Sequence, residues 1–136
     1  MKTIIIAGGT GFLGQVLESY FSKKGYDVKI LTRKTTKPKH VYWNAKDLDQ
    51  WTKTLEGANT LINLTGKSVD CRYTEANKKL IHDSRIDSTN ILGKAINQCE
   101  NPPKAWLNMS TSTIYEDSYH KQMTEENGDI GNDFSM

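Results

Sequence analysis

Seven residues near the start of the chain, Gly8-Gly9-Thr10-Gly11-Phe12-Leu13-Gly14, satisfy two glycine spacings at once. GxGxxG runs through Gly9, Gly11 and Gly14, and GxxGxxG through Gly8, Gly11 and Gly14. Between a strand and a helix such a run has a mechanism. One glycine permits a tight turn, a second lets backbone approach a pyrophosphate without Cβ contact, and Gly14 lets the helix pack closely on the strand. Amides at the helix start, aided by the helix dipole, then face the phosphates. The rival interpretation is a glycine-rich turn that binds nothing. A P-loop is excluded, because no Lys-Ser or Lys-Thr follows the last glycine.

A second chemical signal lies about 20 residues further on, where dinucleotide folds that grip a free ribose 2′-hydroxyl carry Asp or Glu at the end of the second strand. Here that place reads Thr32-Arg33-Lys34. A carboxylate would repel a 2′-phosphate, whereas a guanidinium grips it through two charge-assisted hydrogen bonds. Arg33 and Lys34 therefore favour NADP(H) over NAD(H). The alternative for Arg33 is a solvated charge after a strand.

These groups need elements to position them. Residues 3–7 form a short β-branched apolar run, the mark of a buried strand. Leu13, Val16, Leu17, Tyr20 and Phe21 then recur at helical spacing, with Gly25 where a helix C′ residue belongs. Residues 28–32 and 40–44 read as strands two and three, separated by a basic loop. Residues 47–55 read as a short helix capped by Asp47, with Leu48, Trp51 and Leu55 on one side, and 59–64 as strand four. A long helix is expected over about residues 74–99, with Thr74 at its N-cap and Leu80, Ile81, Ile91, Leu92, Ala95 and Ile96 on its buried face. Asn101-Pro102-Pro103 stops it, and residues 105–109 read as strand five. This alternation predicts an α/β fold, a Rossmann-type doubly wound parallel sheet of about five strands with helices on both faces. The expected organisation is a dinucleotide-binding domain over 1–115 and a loose acidic segment over 116–136.

A chain of 136 residues with 36% hydrophobic side chains holds one domain and can bury a core. Its net charge of +2 is too small to argue for nucleic-acid binding. Sixteen of the 18 basic side chains fall in the first 100 residues, while Glu116, Asp117, Glu125, Glu126, Asp129 and Asp133 make the end acidic. The apolar runs are too short for a membrane span or a signal-peptide core. Cys71 and Cys99 form no CxxC pair, and His40, His82 and His120 lack a second ligand at metal spacing. The expectation is a cytoplasmic protein with no metal, no membrane and no nucleic-acid partner. Trp43, Trp51 and Trp106 are read as core or partly buried, and Arg72-Tyr73 as surface loop.

The glycine segment, Ile30-Leu31-Thr32-Arg33, Ile62-Asn63-Leu64-Thr65-Gly66 and Asp83-Ser84-Arg85-Ile86-Asp87-Ser88-Thr89 together resemble the short-chain dehydrogenase/reductase superfamily in its extended, sugar-nucleotide-epimerase-like branch. More narrowly, the chain resembles the N-terminal half of the epimerase family proteins labelled nucleoside-diphosphate-sugar epimerases or cell-division inhibitors. The resemblance implies cofactor contacts from Gly8, Thr10, Gly11, Phe12, Leu13 and Gly14. It also places Asn63, Leu64, Thr65 and Gly66 along the cofactor's central riboses, with Thr65 where Ala is more usual. Ser110-Thr111-Ser112-Thr113-Ile114-Tyr115 resembles the branch's Ser/Thr-x-x-x-Tyr segment, which puts Thr111 at the position of the catalytic hydroxyl. A hydroxyl-rich strand end that satisfies its own loop backbone is the alternative. Active relatives also carry a Tyr-x-x-x-Lys pair on the next helix, the Lys lowering the Tyr pKa. No such pair follows Tyr115, and Tyr20/Lys24 and Tyr42/Lys46 look accidental in their elements. Two function classes follow. One is the NADP(H)-binding half of a reductase or epimerase with a small-molecule substrate; the other is a dinucleotide sensor or interaction protein without catalysis.

Overall fold

The computed structural model describes residues 2–111 and 114–131. Five parallel strands, β1 (Thr3–Ala7), β2 (Asp27–Thr32), β3 (His40–Tyr42), β4 (Thr60–Asn63) and β5 (Ala105–Asn108), form one sheet in the order β3-β2-β1-β4-β5. Helix α1 (Phe12–Lys23) joins β1 to β2, and α2 (Glu75–Ile96) joins β4 to β5. The expected doubly wound fold is therefore present. Strand β1 lies at its centre, and Ile5 and Ile6, pointing to opposite faces, are both fully buried.

Alternation along the strands divides the core. Ile4 and Ile6 join Val28, Ile30 and Ile62 beneath Leu17 and Phe21 of α1. Ile5 and Ala7 join Leu31 and Leu61 on the other face, against Ile91, Leu92 and Ala95 of α2 and the Trp43, Trp51 and Leu55 side chains. The rings of Trp43 and Trp51 sit 5.7 Å apart. Fully burying each such apolar side chain contributes about 1.5–3 kcal/mol.

Local chemistry closes α1 and opens α2 where the residue types say it should, whereas α2 stops at Ile96, short of the expected Cys99. Gly25, at φ +82°, follows α1; its N–H donates to Ser22 O and that of Tyr26 to Phe21 O. This is a Schellman closure, with the Phe21 and Tyr26 rings edge to face at 5.6 Å. Thr74 caps α2 by accepting from Asn77 N–H at 3.2 Å, and Glu75 supplies the first-turn acid.

Other expectations are corrected. Residues 50–54 form a 3-10 turn capped by Asp49, whose carboxylate accepts from Gln50 N–H at 2.7 Å. Asp47 is not the cap, because Asn44 draws it into a preceding turn through an Nδ2 contact of 2.8 Å to its carboxylate. Leu48 turns to solvent. On α1 only Leu17 and Phe21 pack inward, and Leu13, Val16 and Tyr20 are 40–52% exposed because no described element covers that flank. Leu80 of α2 is exposed likewise. Lys24 lies over the Tyr20 ring at 5.1 Å, a surface cation–π contact.

Among the described residues strand β5 is paired on one side only. Trp106 points toward α2, within 3.6 Å of where a Gly93 Cβ would stand, while Leu107 and Met109 are more than half exposed. Beyond it, the segment expected to be loose has no regular helix or strand among its described residues. It nevertheless closes on itself through a Tyr115–Ile130 bridge, a Glu116 N–H to Asp129 O bond of 2.8 Å and a Lys121–Asp129 ion pair of 2.7 Å.

Ala45, at φ +64°, holds the left-handed conformation that disfavours a Cβ. The Asn44 carboxamide imposes it by accepting from the N–H groups of Lys46 and Asp47 at 2.9 and 3.0 Å. Ala45→Gly is expected to raise unfolding stability by about 1 kcal/mol, measured by chemical denaturation; an unchanged or lowered midpoint would show that the turn stores no strain.

Candidate functional site

The sheet register sets the site. Ala7 pairs with Leu31 on one side and with Asn63 on the other, and Asn63 pairs with Asn108. The loops after β2, β1, β4 and β5 therefore leave the sheet side by side at its C-terminal edge. The chain winds outward from β1 to β2 and β3, then crosses to β4 and β5, so the order reverses between the loops after β1 and β4. Crevices at such reversals are where open α/β sheets bind ligands.

The glycine turn closes the first of these loops, and its glycines do different work. Gly8, at φ +72°, takes a backbone that L side chains avoid, and its N–H donates to Leu31 O at 3.0 Å. A Cβ on Gly14 would stand 2.3 Å from Gly9 O and 2.4 Å from Gly9 C, so the helix can lie on the turn only without one. A Cβ on Gly11 would meet nothing within 4 Å. Packing does not require glycine there, and the space is open to a ligand.

Gly11 is also the N-cap of α1, with no side-chain cap and no acid in the first turn. The amides of Phe12, Leu13 and Gly14 start the helix, where no intrahelical acceptor reaches them. Phe12 is 85% exposed, so its side chain does not cover them. Gln15 Nε2 donates to Thr10 O at 2.9 Å and ties the turn to the helix. The result is a preformed anion cradle at a positive helix end.

The loop after β4 forms the opposite wall, and Asn63, 3% exposed, is its anchor. Its Nδ2 donates to Asn108 Oδ1 at 2.7 Å, its Oδ1 accepts from Thr65 N–H at 3.0 Å, and Leu64 N–H donates to Ala7 O at 2.9 Å. Helix α2 holds the rest of the wall. Ser84 Oγ accepts from Lys67 N–H at 2.9 Å, while Arg85 donates to the carbonyls of Lys67 and Ile81 at 3.2 and 3.0 Å. The guanidinium lies against Gly66, 3.1 Å from where a Cβ would stand. Thr65 Oγ1 is buried against Gly8 and has no hydrogen-bond partner among the described residues.

Arg33 and Lys34 are exposed just past β2, and Lys34 N–H donates to Thr32 Oγ1 at 3.2 Å. Neither is in an ion pair among the described residues. No carboxylate ends β2. Thr111 is exposed after β5, and its carbonyl accepts from Ile114 N–H at 3.4 Å. Ser112 and Thr113 lie outside the described residues. The register thus brings Gly8, Gly11, Gly14, Arg33, Lys34, Asn63, Thr65 and Gly66 to one sheet edge, with Thr111 beyond β5 on the same side.

Four supporting residues had no assigned role in the sequence: Ser84, Arg85, Thr89 and Asn108. Thr89 lies 3.5 Å from Asn63 Nδ2 and 3.4 Å from Asn108 Oδ1. For the three on α2 the signal was a hydroxyl- and Arg-bearing helix face whose targets, 17 to 26 residues away, only the fold reveals. Among the described residues no cluster of three His, Cys, Asp or Glu suits a metal ion. Burial, then the Glu56 charge, pushes the Cys99 thiol pKa up, and its Sγ bonds Ala95 O at 3.3 Å.

The model of the NAD dependent epimerase/dehydratase family matches residues 4–133. Epimerase family protein YfhF of Bacillus subtilis is 35% identical over 145 residues, covering 96% of this chain and 45% of the relative. The human epimerase family protein SDR39U1 is 28% identical over 136 residues, covering 98% of this chain and 44% of the relative. A crystal structure of human SDR39U1 (isoform 2) with NADPH superposes with a TM-score of 0.80 at 28% identity, over 96% of this chain and 43% of that one. The chain thus spans less than half the length of these relatives.

The two glycines make a direct test. Gly14→Ala is expected to cost about 3 kcal/mol, the upper range for overpacking, whereas Gly11→Ala should change stability by less than about 1 kcal/mol. Denaturant titration of both variants checks this, and similar losses would show that Gly11 also serves packing.

Proposed function

Because the chain belongs to the NAD dependent epimerase/dehydratase family, we propose that it is the NADP(H)-binding part of an extended short-chain reductase or epimerase-like protein acting on a sugar-nucleotide-like or other carbonyl substrate. One observation carries this: an uncapped helix start with open space at Gly11, beside a strand end that bears Arg33 and Lys34 and no carboxylate. A pyrophosphate fits the amides of α1, and a 2′-phosphate suits the two cations beside it. A relative at 28% identity with NADPH in its crystal supports the same choice.

In this assignment Gly8, Thr10, Gly11, Phe12, Leu13 and Gly14 hold the pyrophosphate, and Arg33 and Lys34 the 2′-phosphate. Asn63, Leu64, Thr65 and Gly66 line the central riboses. Thr65 Oγ1, buried and unpartnered, is a candidate donor to that wall's ligand after a rotamer change. The nicotinamide, when bound, supplies hydride transfer. Thr111 faces the reacting carbon, where its hydroxyl donates a hydrogen bond to a carbonyl or hydroxyl oxygen. We place the protein in the cytoplasm, consistent with two unpaired cysteines; no described helix is long and apolar enough to cross a membrane.

Within these 136 residues no Tyr-x-x-x-Lys pair follows Tyr115. The second reading is a non-catalytic dinucleotide sensor. NADPH-dependent reduction of a carbonyl panel by a polypeptide carrying the additional length of the relatives separates the two. Turnover supports the enzyme, and tight binding without turnover the sensor.

Fluorescence titration with NADPH and NADH tests the binding claim directly. The chain as it stands should give a saturable NADPH signal and no turnover, and no saturation up to millimolar ligand would overturn both readings. Arg33→Asp should weaken NADPH about tenfold, as loss of a charge-assisted pair implies, and leave NADH within about twofold. Equal losses would show that Arg33 does not read the phosphate. Gly11→Ala should weaken both dinucleotides.

A further inference from the structure

The loop bearing Arg33 and Lys34 is organised by a side chain the cofactor assignment does not use. Seven residues, 33–39, leave β2 and return at β3, and four of them are cations: Arg33, Lys34, Lys37 and Lys39. Such a loop repels itself and needs internal ties to hold one path. Lys37 reaches Glu18 of α1 at 4.0 Å, and Lys39 Nζ donates to Ser22 Oγ at 2.9 Å. Both ties act on the returning half of the loop.

The outgoing half is tied by His40. This residue is fixed in the sheet, paired with Ile30 of β2, and its own N–H donates to Lys37 O at 2.9 Å. Its ring Nδ1 sits inside the loop, 3.2 Å from Thr36 N, 3.4 Å from Thr36 Oγ1 and 3.3 Å from Lys34 O. A backbone amide can only donate, so Nδ1 accepts and the ring proton belongs on Nε2. A neutral imidazole with that tautomer is therefore the residue that folds Thr36 back beside Lys34. A ring proton on Nδ1 would end the Thr36 amide bond and turn the contact toward Lys34 O.

We propose that His40 is the positioning residue for cofactor selectivity: its Nδ1 holds Thr36 N–H and so sets the backbone path on which Arg33 and Lys34 meet the 2′-phosphate. This rests on the NADP(H) reading above. His40 itself touches neither phosphate nor reacting atoms in this role. Its effect falls on the ligand that carries the extra phosphate, because residues 33–39 are exposed and the glycine turn lies at the start of α1, whereas the loop meets α1 at Glu18 and Ser22.

The test compares the wild-type chain with His40→Phe and His40→Asn in the same buffer. Asn places a carboxamide oxygen near the site of Nδ1, whereas Phe keeps the ring and removes the acceptor. His40→Phe is expected to weaken NADPH about fivefold, the scale of one lost hydrogen bond, to leave NADH within about twofold, and to speed hydrogen exchange of the Thr36 amide in the ligand-free protein. His40→Asn is expected to restore all three readouts. Equal losses of NADPH and NADH, an Asn variant that behaves like Phe, or an unchanged NADPH preference would each overturn the role of His40. If the wild-type chain binds neither dinucleotide, the functional reading itself falls; if it prefers NADPH and His40→Phe keeps that preference, only the positioning role falls.

Discussion

Helix α1 lies so close to the end of β1 that Gly14 has no room for a side chain over the Gly9 backbone. The rest of the site depends on that contact. It fixes the helix axis against the turn, leaves Gly11 at the N-cap with nothing to satisfy the first amides, and aims those amides at the crevice between β1 and β4. A contact so tight needs a rigid floor. The buried Ile5 and Ile6, gripped by β2 and β4 on either side, provide it.

The far wall is rigid for a different reason. A polar residue such as Asn63, buried at the sheet edge, is costly unless its carboxamide is satisfied, and here both its oxygen and its nitrogen have partners. Ser84 and Arg85 fasten the following loop to α2, which packs its Ile91, Leu92 and Ala95 into the core. The crevice therefore has one wall set by steric closeness and another by hydrogen bonds. Both are held by contacts within the chain, the kind of support a preorganised binding site requires.

Much of this was legible because its determinants are local. The β-branched run before Gly8, the glycine spacing, Gly25 at the helix end and Thr74 before Glu75 each act within a few residues, and each stands in the structure where its chemistry puts it. The errors came from effects that are not local. Asp47 reads as the cap until Asn44 claims it, which leaves that role to Asp49. Helical spacing shows that Leu13, Val16 and Tyr20 share a side of α1, but not whether anything packs there. The Asn63–Asn108 bond joins residues 45 apart, and no pattern short of the fold itself would pair them.

Strand β5 contributes a wall anchor through Asn108, yet no strand among the described residues pairs with its outer side, which is flanked by the partly bare Trp106, Leu107 and Met109. Natural sheets blunt such margins with lysine, proline or a bulge, and residues 105–108 contain none of these. For the isolated 136-residue polypeptide this margin is the place where lateral sheet growth would begin.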